Sequence, residues 1–357
     1  MKISYPQSSF LSTNHSYYTK ETIEVVQKLK VKIGGSMQKM DENNVVDNLV
    51  PLHPLKTAVL FLLFNRFDTT KEVFKAIKKA KPKRLYIAGD GARVDIDGED
   101  KKVKVVREYV ISNIDWDCEV KTLFRNQNLG CGLSVKNSID WFFSMEEQGI
   151  ILEDDIVPTQ SFFYFCDELL NKYKSDNRIG MISGVNHIGY IPKQHSYLFS
   201  NYKGCWGWAT WKRAWNNMDF SMNWLKTINQ DDIIKNMSYS KISEQHWKNA
   251  IENILNNRVS AWDWQWYFSL SAQNQLCIFP KYNLTSNIGF NNDATHTFGE
   301  AKTEYVITKD LTFPLTHPSY IVPSYEYEMM FELKEIKLVG WKRFIPKKIK
   351  ELIKRLL

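Results

Sequence analysis

Glycine and proline are scarce in this chain, 16 and 11 of 357 residues, and no stretch repeats or narrows to a few residue types. Collagen-like, low-complexity and disordered chains are thereby excluded. No uninterrupted apolar run approaches the roughly 18 residues that cross a bilayer, and residues 1–10 lack the apolar segment of a signal peptide. A cytoplasmic protein that does not span a membrane is expected. Cysteine is sparse too: Cys118, Cys131, Cys166, Cys205 and Cys277 are odd in number, scattered and without a Cys-x-x-Cys pair. Reduced thiols and no zinc site follow. What is present is 43% hydrophobic and 14% aromatic residues, enough for a sizeable core in one large α/β domain with additions, or in two domains.

The formal charge is +7, but residues 342–357 hold seven bases against one acid, net +6, leaving +1 for the rest. A nearly neutral body with a basic end argues against a nucleic-acid partner and for one localised surface contact. In that end Ile345, Ile349, Leu352, Ile353 and Leu356 share a helical face opposite Lys347, Lys350, Lys354 and Arg355. An interfacial helix drawn to anionic lipid has this pattern, and so does a terminal helix packed on the body or a second subunit. At the other end, Ile23, Val26, Leu29 and Ile33 recur at helical spacing before Gly34-Gly35, as in a packing or homodimer helix. The expected organisation is a 1–50 appendage, a 51–320 catalytic domain with halves 51–185 and 186–320, and a 321–357 extension.

Within that domain apolar runs alternate with helical stripes. Strands are expected at 57–64 (TAVLFLLF), 84–88, 119–124 and 149–152, and helices on the stripes of Val73 and Ile77, of Val103 and Val106, and of Ile139 and Phe142. A capping box at Thr69-Thr70-Lys71-Glu72 is expected to open the first helix. The alternation implies a parallel, right-handed, doubly wound sheet. Beyond about residue 180 it fades into Trp-rich segments around Trp206, Trp208, Trp211, Trp215, Trp262, Trp264 and Trp266.

Ligands bind outside the carboxyl ends of such strands. Those ends read Asn65-Arg66, Gly89-Asp90-Gly91-Ala92-Arg93, Arg125-Asn126-Gln127-Asn128 and Glu153-Asp154-Asp155: four polar ends on one rim, suited to an anionic, hydrogen-bonding ligand. Three adjacent carboxylates at a strand end are costly without a cation, and oxygen-only ligands suit Mg²⁺ or Mn²⁺. An acidic turn capping the next helix is the other reading. Gly130-Cys131-Gly132 mimics a dinucleotide fingerprint, but it follows the third strand and has Val135 in place of the third glycine; it serves either ligand approach or packing.

The order FNR, GDGAR, RNxNLGCG and LEDD, followed by Gly207-Trp208-Ala209-Thr210-Trp211, Trp262-Asp263-Trp264 and Asn287-Ile288-Gly289 through Asp293-Ala294-Thr295-His296-Thr297, resembles GT-A fold glycosyltransferases. The likeness spans roughly 57–300 and is closest to bacterial family-two-like enzymes and the N-acetylglucosaminyltransferase I type. It implies a Rossmann-like nucleotide-diphospho-sugar transferase fold with a nucleotide-sugar half and an acceptor half. It further implies Asp90 on the base, Asn65, Arg66, Arg93, Arg125 and Asn128 around base and phosphates, and Glu153 or Asp154 on ribose or donor sugar. Asp155 would bind the metal, His296 would be a further metal or diphosphate ligand, Asp263 the catalytic base, and Trp206, Trp208, Trp262 and Trp264 acceptor contacts. For Asp263 a helix N-cap, for His296 a surface histidine and for the tryptophans a place in the core are the alternatives; His187, His246 and His317 read as structural. The implied activity is metal-dependent, inverting transfer from a UDP-sugar to a glycan or lipid-linked acceptor in surface polysaccharide synthesis, peripheral to the membrane. A non-catalytic nucleotide- or glycan-binding protein is an alternative. A nucleotidyltransferase would want a basic, glycine-rich loop after the first strand, which Asn65-Arg66-Phe67-Asp68 is not.

Overall fold

The computed structural model describes residues 55–188, 194–258, 262–289 and 307–336. The first half alternates as the sequence does: β1 (Ala58–Leu63), α1 (Phe67–Ala80), β2 (Arg84–Gly89), α2 (Glu99–Ser112), β3 (Glu119–Phe124), α3 (Cys131–Met145) and β4 (Gln148–Glu153). There follow β5 (Ile156–Pro158), α4 (Gln160–Lys172), β6 (Ile179–Ser183), β7 (Tyr197–Ser200), β8 (Trp208–Trp211) and α5 (Lys212–Trp215). Then come α6 (Gln230–Asn236), α7 (Lys241–Leu255), α8 (Asp263–Ala272), β9 (Leu276–Pro280), β10 (Thr285–Asn287) and α9 (Tyr325–Phe331).

The fold is mixed α/β around a mostly parallel sheet of order β3-β2-β1-β4-β8-β6-β9-β7. β1 lies between parallel partners, with Val59 beside Leu85 and beside Ile150. All six of its residues are buried because both faces are covered: Ala58, Leu60 and Leu62 join one core, Val59, Phe61 and Leu63 the other. This is why it reads as a continuous apolar run, whereas edge strand β3, covered less, is half exposed. β8 reverses the direction, antiparallel to both β4 and β6, so the doubly wound parallel sheet is confined to β3-β2-β1-β4. β5 and β10 form a separate antiparallel ribbon.

The first helix begins two residues before Thr69, with Arg66 at its N-cap and no side-chain cap. The expected capping box is therefore not formed: Thr70 sits inside the first turn and its hydroxyl donates to the Arg66 carbonyl at 2.6 Å. All five cysteines are free thiols, and no helix among the described residues is long and apolar enough to cross a membrane. The helical patterns at 23–33 and 342–357 lie outside the described residues.

Candidate functional site

The carboxyl ends of β1, β2, β3 and β4 deliver their polar segments to one rim, as parallel pairing requires. Because β8 runs the other way, its amino end brings Trp206-Gly207 there too, with Trp208 paired to Ile151. The ribbon closes the site from the far side: β10 pairs with β5 directly after the acidic turn, and Ile288 donates its N–H to the Asp155 carbonyl at 2.8 Å. Gly289 then passes so close that a Cβ there would lie 2.1 Å from Asp155 Oδ2. Only glycine leaves that carboxylate its place.

Three carboxylates in sequence need a counter-charge, and Arg66 supplies it. One terminal nitrogen pairs with Asp155 Oδ2 at 3.0 Å and the other with Asp154 Oδ1. Asp154, 4% exposed, also accepts the Phe64 N–H at 3.3 Å. Burial alone would lower the Arg66 pKa; the two carboxylates more than reverse that. Burial raises Asp154 to about 6 against the pull of Arg66. Glu153 is raised well above the usual carboxylate range, first by burial and then by Asp155, Asp263 and Asp154. Among the described residues no donor reaches either oxygen of Glu153 or Oδ1 of Asp155. Asp263, the first residue of α8, lies near enough for its charge to raise Glu153 as well; the N-cap of α8 is Trp262. Cys131 faces this field as well, its thiol pushed up to about 12 by burial and by Glu153 and Asp263. The Gly130-Cys131-Gly132 loop thus borders the site, with open space where a Cβ of Gly130 would stand.

Asp90 is a tie between loops. Its carboxylate accepts the N–H groups of Gly91, Leu129 and Gly130 at 2.9–3.1 Å, and it is 7% exposed. Asn128 completes that tie, donating to the Gly91 carbonyl at 2.7 Å. Arg125 is drawn onto α3, where it donates to Ser138 Oγ at 3.0 Å. Arg93 and Asn65 both turn to Glu99.

Trp208 and Trp262 are 0% and 3% exposed and stack on each other at 5.6 Å. Their faces are used up by the core, which corrects the expectation of a sugar platform at these two positions. Trp206 and Trp264 keep exposed area; Trp206 meets the His187 ring edge-on at 4.9 Å and its carbonyl accepts from Thr285 Oγ1. His296 lies outside the described residues.

Two residues that hold the rim together carry no mark in the sequence. Glu99 is an ordinary acidic first-turn residue in sequence; its burial comes only with the loop that folds over it. Arg107 sits mid-helix, yet its Nη2 donates to the carbonyls of Gly89, Asp90 and Arg125, binding the ends of β2 and β3 together. No local signal marks either.

No family model and no curated protein matches the sequence. Among solved structures similar to the chain is a mannosyltransferase from Pyrobaculum calidifontis in complex with GDP-Man and Mn²⁺, at 10% identity and a TM-score of 0.32, covering 52% of this chain and 51% of that one. Another is HddC from Yersinia pseudotuberculosis, at 11% identity and a TM-score of 0.28, covering 48% and 87%. A third is the inositol-1-phosphate CTP transferase from T. maritima, at 13% identity and a TM-score of 0.29, covering 48% and 76%. The first of these is a mannosyltransferase and the third a CTP transferase; the chain spans about half the length of the first.

Proposed function

We propose that the chain is an inverting glycosyltransferase that moves a sugar from a nucleotide diphosphate, a UDP-sugar in the first instance, to a hydroxyl of a glycan or lipid-linked acceptor. The observation that carries this is the acidic turn after β4: Glu153 without a donor among the described residues, Asp155 with one oxygen open, and Asp263 in the same field. Carboxylates left in that state at the rim of an α/β sheet await a cation and donors from a ligand.

The carboxylates of the acidic turn have the chemistry of a divalent-cation site, although among the described residues no three carboxylate, imidazole or thiol groups come together to hold a metal unaided. Mg²⁺ and Mn²⁺ commonly take one or two protein carboxylates and fill the remainder with substrate phosphates and water. Asp155 would hold it, with His296 as the second ligand that the resemblance supplies; when bound, the ion would neutralise the departing diphosphate.

The chain's own residues do the rest. Arg66 places a fixed positive charge against the phosphates. Asp154 is consumed by Arg66 and the Phe64 amide, which leaves Glu153 as the residue to face ribose or donor sugar. Asp263 takes the proton of the acceptor hydroxyl as its oxygen attacks the anomeric carbon and the bond to the diphosphate breaks on the opposite face. Trp206 and Trp264 offer ring surface to the acceptor.

The test pairs two variants. Asp155→Ala should lose the Mn²⁺-dependent rise in melting temperature that UDP gives the parent. Asp263→Asn should keep that rise and lose transfer by at least a hundredfold, the scale of general-base removal. Wild-type behaviour of both variants rejects the assignment, and transfer of a nucleotidyl group in place of a glycosyl group rejects the reaction.

A further inference from the structure

Neighbouring residues at the end of β1 turn in opposite directions. Arg66 goes to the acidic turn, while Asn65 goes to Glu99, its Nδ2 donating to Oε1 at 2.8 Å. Glu99, whose side chain is 2% exposed, collects three more donors from Arg93: the backbone N–H at 2.7 Å, Nε at 3.0 Å and Nη2. The Arg93 side chain is 44% exposed and its guanidinium lies 5.9 Å from the centroid of the Phe64 ring. Glu99 occupies the Nε–Nη2 edge of the guanidinium and offsets its charge there. What remain are Nη1 and the plane, and planar guanidinium stacks on aromatic faces. Asn65 meanwhile leaves its Oδ1 without a donor among the described residues.

The geometry points to Glu99 as a positioning residue that locks Asn65 and Arg93 into an uncharged platform for the nucleobase and ribose of the donor, beside the charged subsite that Arg66 and Asp155 offer the diphosphate. This rests on the donor reading above and adds a division of labour to it. Asn65 and Arg66 are adjacent, with Cα atoms about 3.8 Å apart across one trans peptide, so both subsites are within reach of a single nucleotide. Arg93 would thus read the base and not the phosphates.

Calorimetric titration of the full chain with UDP, GDP and Mg²⁺-pyrophosphate tests this. Glu99→Gln should weaken whichever of UDP and GDP the parent prefers by at least tenfold, and hold or tighten pyrophosphate, because the Arg93 charge is no longer offset and its side chain is freed. In the Glu99→Gln background, Arg93→Met should bring no further loss, since Glu99 acts through Arg93. Glu99→Asp, which keeps the charge but shortens the reach, should fall between parent and Glu99→Gln, and covers the case in which Glu99→Gln melts early. Unchanged nucleotide affinity in Glu99→Gln overturns the proposal. So does equal weakening toward nucleotide and pyrophosphate, the mark of a merely structural role, or an additive loss in the double variant. A parent that binds none of the three probes overturns the donor reading itself, and this proposal with it.

Discussion

Arg66 neutralises Asp154 and Asp155 in the free protein, and under the proposed function the same guanidinium would also have to meet an incoming diphosphate. Removing one partner of a part-buried ion pair leaves the other uncompensated, at about 3 kcal/mol. Arg66→Met should therefore lower stability by that order in denaturant unfolding, and Mn²⁺ should restore more stability to the variant than it adds to the parent, because the freed carboxylates are left to the ion. A variant as stable as the parent, or one indifferent to Mn²⁺, contradicts the pairing. At this scale the sequence was legible where chemistry is dense. Three carboxylates after an apolar strand announce themselves; whether Asp90 faces a ligand or three backbone amides is decided by where the loop after β3 folds. The same holds for the tryptophans: sequence shows a cluster, while only packing separates buried Trp208 from part-exposed Trp206.

Among the elements, α9 shows how the C-terminal segment is keyed into the body. Glu332, just after it, accepts from Tyr202 Oη at 2.9 Å and from Ser243 Oγ, and Lys334 donates to the His187 carbonyl at 2.6 Å. Glu328 is 0% exposed and accepts the Asn201 N–H at 2.7 Å. Burial raises its pKa from the ordinary 4.5 to about 7. Between those values the folded chain holds a proton that the unfolded chain has released. Its contribution is therefore full below about pH 4.5 and is lost as pH rises through about 7. Glu328→Gln removes this dependence, since an amide keeps the carbonyl acceptor and never ionises. The variant should match the parent near pH 4.5 and exceed it at pH 8 by on the order of 3 kcal/mol. Parallel stability curves for the two chains would count against it. The presence of helices at this scale is legible from apolar stripes, as in Val73 and Ile77 of α1. The start of α1 is not, because the Arg66 backbone opens the helix without the side-chain cap the sequence advertises.

Over the whole molecule, β3-β2-β1-β4 could be read from sequence because strands covered on both faces must be apolar throughout. The reversal at β8 could not: its direction is set by Ile150 and Ile182 flanking Ala209, contacts made by residues far apart in the chain. Charge distribution, by contrast, is fully legible. Of the net +7, the stretch 342–357 holds +6, and basic residues near an anionic membrane each contribute about 1 kcal/mol, falling off within a Debye length. If that stretch draws the chain to an anionic bilayer, as a lipid-linked acceptor would require, the full chain should float with vesicles containing about a third phosphatidylglycerol and not with neutral ones. Raising salt from about 0.1 M to 1 M shortens the Debye length from about 10 Å to 3 Å and should release it. A chain ending at Trp341 should stay at the bottom of the gradient in both salts while still binding UDP, since every described residue of the donor rim precedes that point. Equal flotation of the two chains would assign the basic stretch to packing within the protein or between subunits.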